Sequence, residues 1–224
     1  MRRIFGLVLA VFLGQYSVAQ EAEKKESNGE LHGNFDIQAQ YYNIDSAIGA
    51  PPVDERVRMN AFGNLIYTKG KFTAGLRFES YQNAILGFND LYRGNGIPYR
   101  FFSYKMDDLE ITVGNFYEQF GNGQILRAYE ERGLGVDNVF DGVRVKFTPY
   151  KGIQFKGLIA KQRWYFDQSP GIVRGFDADF QVNEFIEPLS TAKTKISLGG
   201  SAVSKYQTDE NTRFTLPENV LALS

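Results

Sequence analysis

The sequence predicts an all-β fold: an antiparallel up-and-down transmembrane β-barrel of about nine strands, incomplete in this chain. Three observations point there. Apolar and polar residues alternate with a period of two in one stretch after another. The links between these stretches alternate between short and long. No segment beyond the N-terminus holds 18 consecutive apolar residues, although 43% of the chain is hydrophobic and 15% aromatic.

The N-terminus reads as an export signal over residues 1–19. Arg2 and Arg3 form a basic start, residues 4–13 an apolar run, and Ser17-Val18-Ala19 a small-residue cleavage site. Ten apolar residues are too few for a helix that must cross a hydrocarbon core of about 20 residues. Cleavage leaves 23 basic residues against 26 acidic ones, a net charge of −3. A mildly acidic chain gives no electrostatic basis for binding nucleic acid. With no Cys, disulfides and thiolate metal sites are excluded. Residues 20–30, charged and small, read as a flexible periplasmic leader, and residues 31–224 as the N-terminal part of the barrel.

From Leu31 the alternation is clear. Leu31, Gly33, Phe35, Ile37, Ala39 and Tyr41 share one face, with His32, Asn34, Asp36, Gln38 and Gln40 on the other. The same pattern predicts strands over 59–67, 72–79, 99–106, 109–117, 139–147, 153–164, 174–182 and 194–206. Around 99–106, Phe101 and Phe102 compete for the apolar face. Asp177 and Asp179 weaken the 174–182 strand.

Tight turns are expected at Gly70, at Asp107-Asp108 and at Lys151-Gly152, with long links at 44–56, 83–97 and 119–138. Outer-membrane barrels separate short periplasmic turns from long external loops, so the N-terminus is expected in the periplasm and the long links outside. A soluble β-sandwich also alternates, but its hairpins need not sort by length. Aromatic residues at strand ends (Tyr41, Tyr67, Phe72, Tyr117, Phe147, Trp164, Tyr165) suit interfacial girdles. Nine strands is an odd number, and residues 220–224 follow Pro217 without an alternating strand. Both suggest that strands are missing or that the count is off by one.

The stretch Gly114-Asn-Phe-Tyr-Glu-Gln-Phe-Gly-Asn-Gly123, then residues 126–135, Asp137-Asn138, Asp141-Gly-Val-Arg-Val, Lys156-Gly157 and Arg163, resembles a functionally uncharacterised family of Bacteroidota outer-membrane β-barrel proteins. The resemblance spans roughly Gly33 to Trp164 and is most specific over 114–138. It implies location and a larger barrel; it brings no substrate and no catalytic residues.

The long link 119–138 carries the densest chemistry. Residues 124–132 are expected to form a short helix capped by Gly133. Glu118, Arg127, Tyr129, Glu130, Glu131 and Arg132 then form either a lumen constriction or ligand cluster, or a set of charges that braces the loop against the wall. Inward-facing Arg58, Arg77, Glu79, Arg144, Lys146 and Lys156 form either a basic-leaning stripe favouring anions or an ordinary solvated lumen. His32, the single histidine, reads as solvated, so neither a Ser-His pair nor a metal cofactor is indicated. Asp137, Asn138 and Asp141 lack the spacing of a calcium loop and read as turn residues.

The expected function is therefore a porin-like outer-membrane channel or transport component, not an enzyme. Its partners are outer-membrane lipid, a small polar or anionic solute and envelope proteins. A non-transporting barrel that scaffolds a secretion or surface-assembly complex is the second reading, and a membrane-embedded hydrolase dependent on His32 a third.

Overall fold

The computed structural model describes residues 28–50, 52–210, 215 and 217–224. The expected signal and most of the expected leader lie outside these residues.

Ten strands form one antiparallel sheet: β1 (Glu30–Tyr41), β2 (Val57–Lys69), β3 (Phe72–Asn83), β4 (Gly94–Lys105), β5 (Leu109–Phe116), β8 (Phe140–Tyr150), β9 (Ile153–Trp164), β10 (Asp167–Gln181), β11 (Ser197–Tyr206) and β12 (Asn219–Leu223). Each strand pairs with the next in chain order. The two-residue strands β6 (Glu130–Glu131) and β7 (Val136–Asp137) pair separately as a hairpin inside the loop between β5 and β8. β1 and β12 are the two ends of the sheet, so among the described residues the sheet is open.

All nine expected strands are present, and the expected count is corrected to ten. β12 is the addition, paired in register from Ala202↔Leu223 to Tyr206↔Asn219. Its apolar run shows no polar alternation, so a period-two reading passes over it. β10, weakened in sequence by two aspartates, is the longest strand at 15 residues. Its acids sit on the charged face, where Asp177 Oδ1 accepts a 2.6 Å hydrogen bond from Ser201 Oγ.

Register sorts the side chains into two faces. On one, Phe35↔Gly63, Gly63↔Phe78, Ala74↔Phe102, Phe102↔Val113, Val113↔Val143 and Val143↔Ile159 run from strand to strand. The large side chains among them are exposed: Phe35 is 67% accessible, Phe102 70% and Val113 51%. Phe102, not Phe101, takes the apolar face. An apolar depression of about 710 Å³ on this face is lined by Leu31, Leu65, Leu76, Phe102, Val113 and Val143, among others. The opposite face buries Asn60, Arg77, Glu79, Thr112, Glu118, Arg163 and Asp177. Large apolar side chains are thus exposed on one face while charged side chains are buried on the other, the reverse of the usual solubility pattern for those residues.

What packs on the sheet packs on its charged face. Phe120, Leu126 and Ala128 from the β5–β8 loop join Phe116, Phe140, Leu158, Ala160, Val173 and Val203 in one buried cluster. Residues 84–93 bring Tyr92 onto Phe62 and Tyr81 in a second. Gly175 makes the first seat: a Cβ there would stand 2.5 Å from the Phe120 ring, so only glycine admits the loop this closely.

The expected tight turns at Gly70, Asp107-Asp108 and Lys151-Gly152 join β2–β3, β4–β5 and β8–β9 at one edge of the sheet. The three expected long links lie at the other. The sorting ends there, because β9 and β10 meet through Tyr165-Phe166 alone at the long-loop edge, with Tyr165 at φ +58°. The 15-residue link 182–196, with the one-turn helix Glu187–Ser190, returns at the tight-turn edge. No helix among the described residues is long and apolar enough to cross a membrane.

Candidate functional site: two ion-pair clusters beneath the β5–β8 loop

The loop 117–139 does not form the helix expected over 124–132. Its backbone is extended: Phe120 N–H donates to Leu126 O at 3.1 Å, Ala128 N–H to Glu118 O at 2.9 Å, and Gln119 bridges Arg127. Leu126 and Ala128 are buried while Arg127 and Tyr129 are exposed. That is the period of a strand, visible in the sequence but outweighed there by good helix formers. The only helical piece is the 3₁₀ turn Arg132–Leu134. The left-handed cap is Gly135 at φ +64°, not Gly133.

Six charged groups meet where β3, β9 and the β6–β7 hairpin converge. Arg77 Nη1 donates to Glu130 Oε2 and Arg77 Nη2 to Asp137 Oδ2, both at 2.8 Å, while Nε stands 2.7 Å from Glu79 Oε1. Arg163 Nη2 donates to Glu79 Oε2 at 2.7 Å, and its Nη1 donates to Asp137 Oδ2. Arg132 Nε donates to Glu130 Oε1 at 2.8 Å, with its guanidinium carbon 4.3 Å from the Phe62 ring centre. Three guanidiniums (Arg77, Arg132, Arg163) thus face three carboxylates (Glu79, Glu130, Asp137), and a fourth carboxylate, Asp36 of β1, lies 3.8 Å from Arg132 Nη1 at the margin. Tyr117 closes it, its hydroxyl donating to Asp137 Oδ1 at 2.9 Å. Burial pushes the Asp137 carboxyl above its ordinary range, against the pull of Arg163, Arg77 and the Tyr117 hydroxyl. Burial pushes Tyr117 up as well.

The second cluster centres on Glu118, which is 7% exposed. Lys146 Nζ lies 3.0 Å from Glu118 Oε2, Arg144 Nη1 3.3 Å from the same oxygen, and Lys156 Nζ 3.4 Å from Oε1. Arg144 also donates to Glu110 Oε1 at 2.6 Å and to Thr112 Oγ1 at 2.9 Å. Lys156 reaches Asp177 Oδ2 at 3.4 Å. Three cations again meet three carboxylates: Glu110, Glu118 and Asp177. Burial acting alone raises the Glu118 carboxyl, but Lys146, Lys156 and the Gln119 N–H outweigh it and leave it below the usual range.

The structure therefore divides the six residues singled out in the sequence. Glu118, Glu130 and Arg132 tie the loop to the sheet. Arg127 stacks over Tyr129 at 4.8 Å in the exposed part of the loop, and Glu131 caps Gly133 N–H at 3.2 Å. These last three do not converge with the others. Of the other inward-facing residues named in the sequence, Arg77, Arg144, Lys146 and Lys156 are each matched by carboxylates, and Arg58 donates to Ala84 O at 3.1 Å. Arg163 and the role of Asp137 were missed, since nothing local marks a pairing across 26 or 84 residues. Tyr117 and Tyr165, expected in girdles, are half-buried against Asp137 and Tyr92.

All 224 residues of the sequence match the family of unknown function DUF6029. The chain belongs to that family. No curated protein matches it. The stretch 114–138, on which the resemblance rested, is the segment that supplies Tyr117, Glu118, Glu130 and Asp137 to both clusters.

The carboxylates of Glu79, Glu130 and Asp137 have oxygens within 4.8 Å of one another, the closeness a divalent cation needs. Arg77 already contacts all three, so the set is built around guanidinium charge. Its chemistry is that of a latch between a loop and a wall.

Proposed function

We propose that this chain is the wall of an outer-membrane β-barrel that transports small solutes, with loop 117–139 folded into the lumen as its constriction. One observation carries the reading: a single ten-stranded sheet exposes its large apolar side chains on one face and buries ion pairs on the other. Water disfavours that arrangement, whereas a bilayer outside and a polar lumen inside favour it. Strand lengths support it, since β1–β4, β8–β11 run 10–15 residues against the 9–11 a tilted crossing needs. The exposed aromatics Tyr41, Phe72 and Trp164, near strand ends, suit the membrane interface. The sorting of turns from β1 through β9 supports a tight-turn edge in the periplasm and long loops outside. On this reading the second partner is a small polar or anionic solute.

The filled interior favours a second reading. In both clusters the cations are paired with carboxylates and the loop packs through a hydrophobic cluster, as in a closed barrel that scaffolds an envelope complex.

Single-channel recording on the full chain, purified from outer membranes, separates the two. The transport reading expects a small ion-selective current that grows when Glu118→Gln, Glu130→Gln and Asp137→Asn together loosen the loop. Silence in both proteins, each folded, leaves the scaffold.

A further inference from the structure

We propose that the cavity between β3, β4, β5, β8 and Tyr117 binds a small organic anion with a flat, apolar body. The inference rests on the barrel reading and gives its solute a chemical class. The cavity measures about 390 Å³, within the range of small-molecule sites. It opens on the charged face, toward the tight-turn edge and below the first residue of the inward loop.

Charge comes first. Lys71, Lys105 and Arg144 line the cavity against a single carboxylate, Glu110. Glu110 is held by Arg144 at 2.6 Å, and Arg144 is further matched by Glu118. Neither lysine has an ion-pair partner among the described residues. Their backbones meet through a 2.9 Å hydrogen bond from Lys105 N–H to Lys71 O, so two ammonium stems rise side by side at the rim. Elsewhere on this face Arg77, Arg144, Lys146, Lys156 and Arg163 each meet a carboxylate. Here two cations are left over, and an anion supplies what is missing.

The body of the ligand follows from the rings. Tyr99, Phe101 and Tyr117 are half-buried in the cavity wall, with Tyr99 stacked on Tyr117 at 5.8 Å and 23° and set edge-on to Phe101 at 5.8 Å. Such walls take a planar, weakly polar body better than a fully hydrated ion. Beside them the Ser103 and Thr112 hydroxyls, 3.3 Å apart, offer adaptable donors to a carboxylate or ring hydroxyl. A cation finds no free carboxylate here.

The test uses the full chain purified from outer membranes in detergent, with benzoate as probe and benzamidine as its counterpart of similar size and opposite charge. Ligand-observed NMR and calorimetry read binding whether or not the protein conducts. Benzoate is expected to bind and benzamidine not. Lys71→Gln with Lys105→Gln is expected to weaken benzoate about tenfold, the loss of two charge-assisted contacts. Both lysines are exposed and unpaired, so the variant folds, which heat-modifiable mobility on gels checks. Equal binding of both probes, benzoate binding unaffected by the double substitution, or no binding by the folded chain overturns the inference. Fractionation of the chain into outer membranes is scored separately. A membrane protein that ignores benzoate loses only this inference. A chain that binds benzoate but does not fractionate with membranes keeps it and loses the barrel.

Discussion

β1 and β9 are both strands of 12 residues and end in different environments. In β1 both faces are open: Leu31 is 68% exposed and the His32 side chain, on the other face, 72%. In β9 the faces part: Leu158 (7%) and Ala160 (4%) are buried while Ile159 (49%) between them stays out. β9 has a strand on each side and the loop 117–139 above it; β1 has one neighbouring strand, β2, and a single 3.8 Å ion pair from the loop, Arg132 to Asp36. Periodicity decides which residues share a face. What covers that face decides how much each one contributes to stability.

The sharpest way to break this contrast is to remove the guanidinium of Arg163. Arg163→Ala leaves Glu79 and Asp137 buried and short of a partner, at a cost of about 3–5 kcal/mol. We expect a large drop in the urea midpoint of the folded chain and early proteolysis within 117–139. A variant as resistant as the parent would mean that the cluster does not hold the loop.

Next in size is the apolar face. Phe102→Arg is expected to cost about 2–4 kcal/mol of folding stability in lipid bilayers if that face meets lipid. In water the same change at a 70% exposed site stays within about 0.5 kcal/mol. Reversible unfolding in bilayers therefore reads out the membrane assignment. A small effect there would remove it.

Smaller still is the pH dependence at Glu118. Its carboxyl lies below the ordinary value in the folded chain, so its contribution is present above the unfolded pKa. That contribution is lost as pH falls through the lower folded pKa. Glu118→Gln is expected to be less stable near neutrality and to flatten the acid limb of the unfolding curve. An unchanged acid limb would assign the pH dependence to other carboxylates.

The smallest effect belongs to β1. His32→Ala, with only an exposed Glu30 at 3.5 Å, is expected to shift stability by less than about 0.5 kcal/mol. A larger loss would show that something covers β1.

The candidate site was only partly legible. Glu118, Glu130 and Arg132 stood out because charges crowd the link between two strands. Arg77 and Glu79 were placed on the inward face by alternation alone. Arg163 and Asp137, which lock the cluster, carry no local sign of it. The expected helix failed because Leu126 and Ala128 bury their side chains at strand spacing. Contact with the sheet outweighed intrinsic helix preference by more than the fraction of a kcal/mol at which such preferences differ.

By itself the sequence determined nine of the ten strands, the antiparallel meander, the tight turns and the division into an apolar and a charged face. Each of these follows from side-chain period and turn chemistry within a dozen residues. Tertiary structure alone decided that β12 pairs with β11, that Tyr165-Phe166 closes a short turn, and that loop 117–139 lies on the charged face. It also decided that Arg77, Arg144, Lys146, Lys156 and Arg163 meet carboxylates on the charged face while, among the described residues, Lys71 and Lys105 do not. Those outcomes depend on which charges meet across distant strands, and a buried charge settles only where a partner and its hydrogen bonds are brought to it.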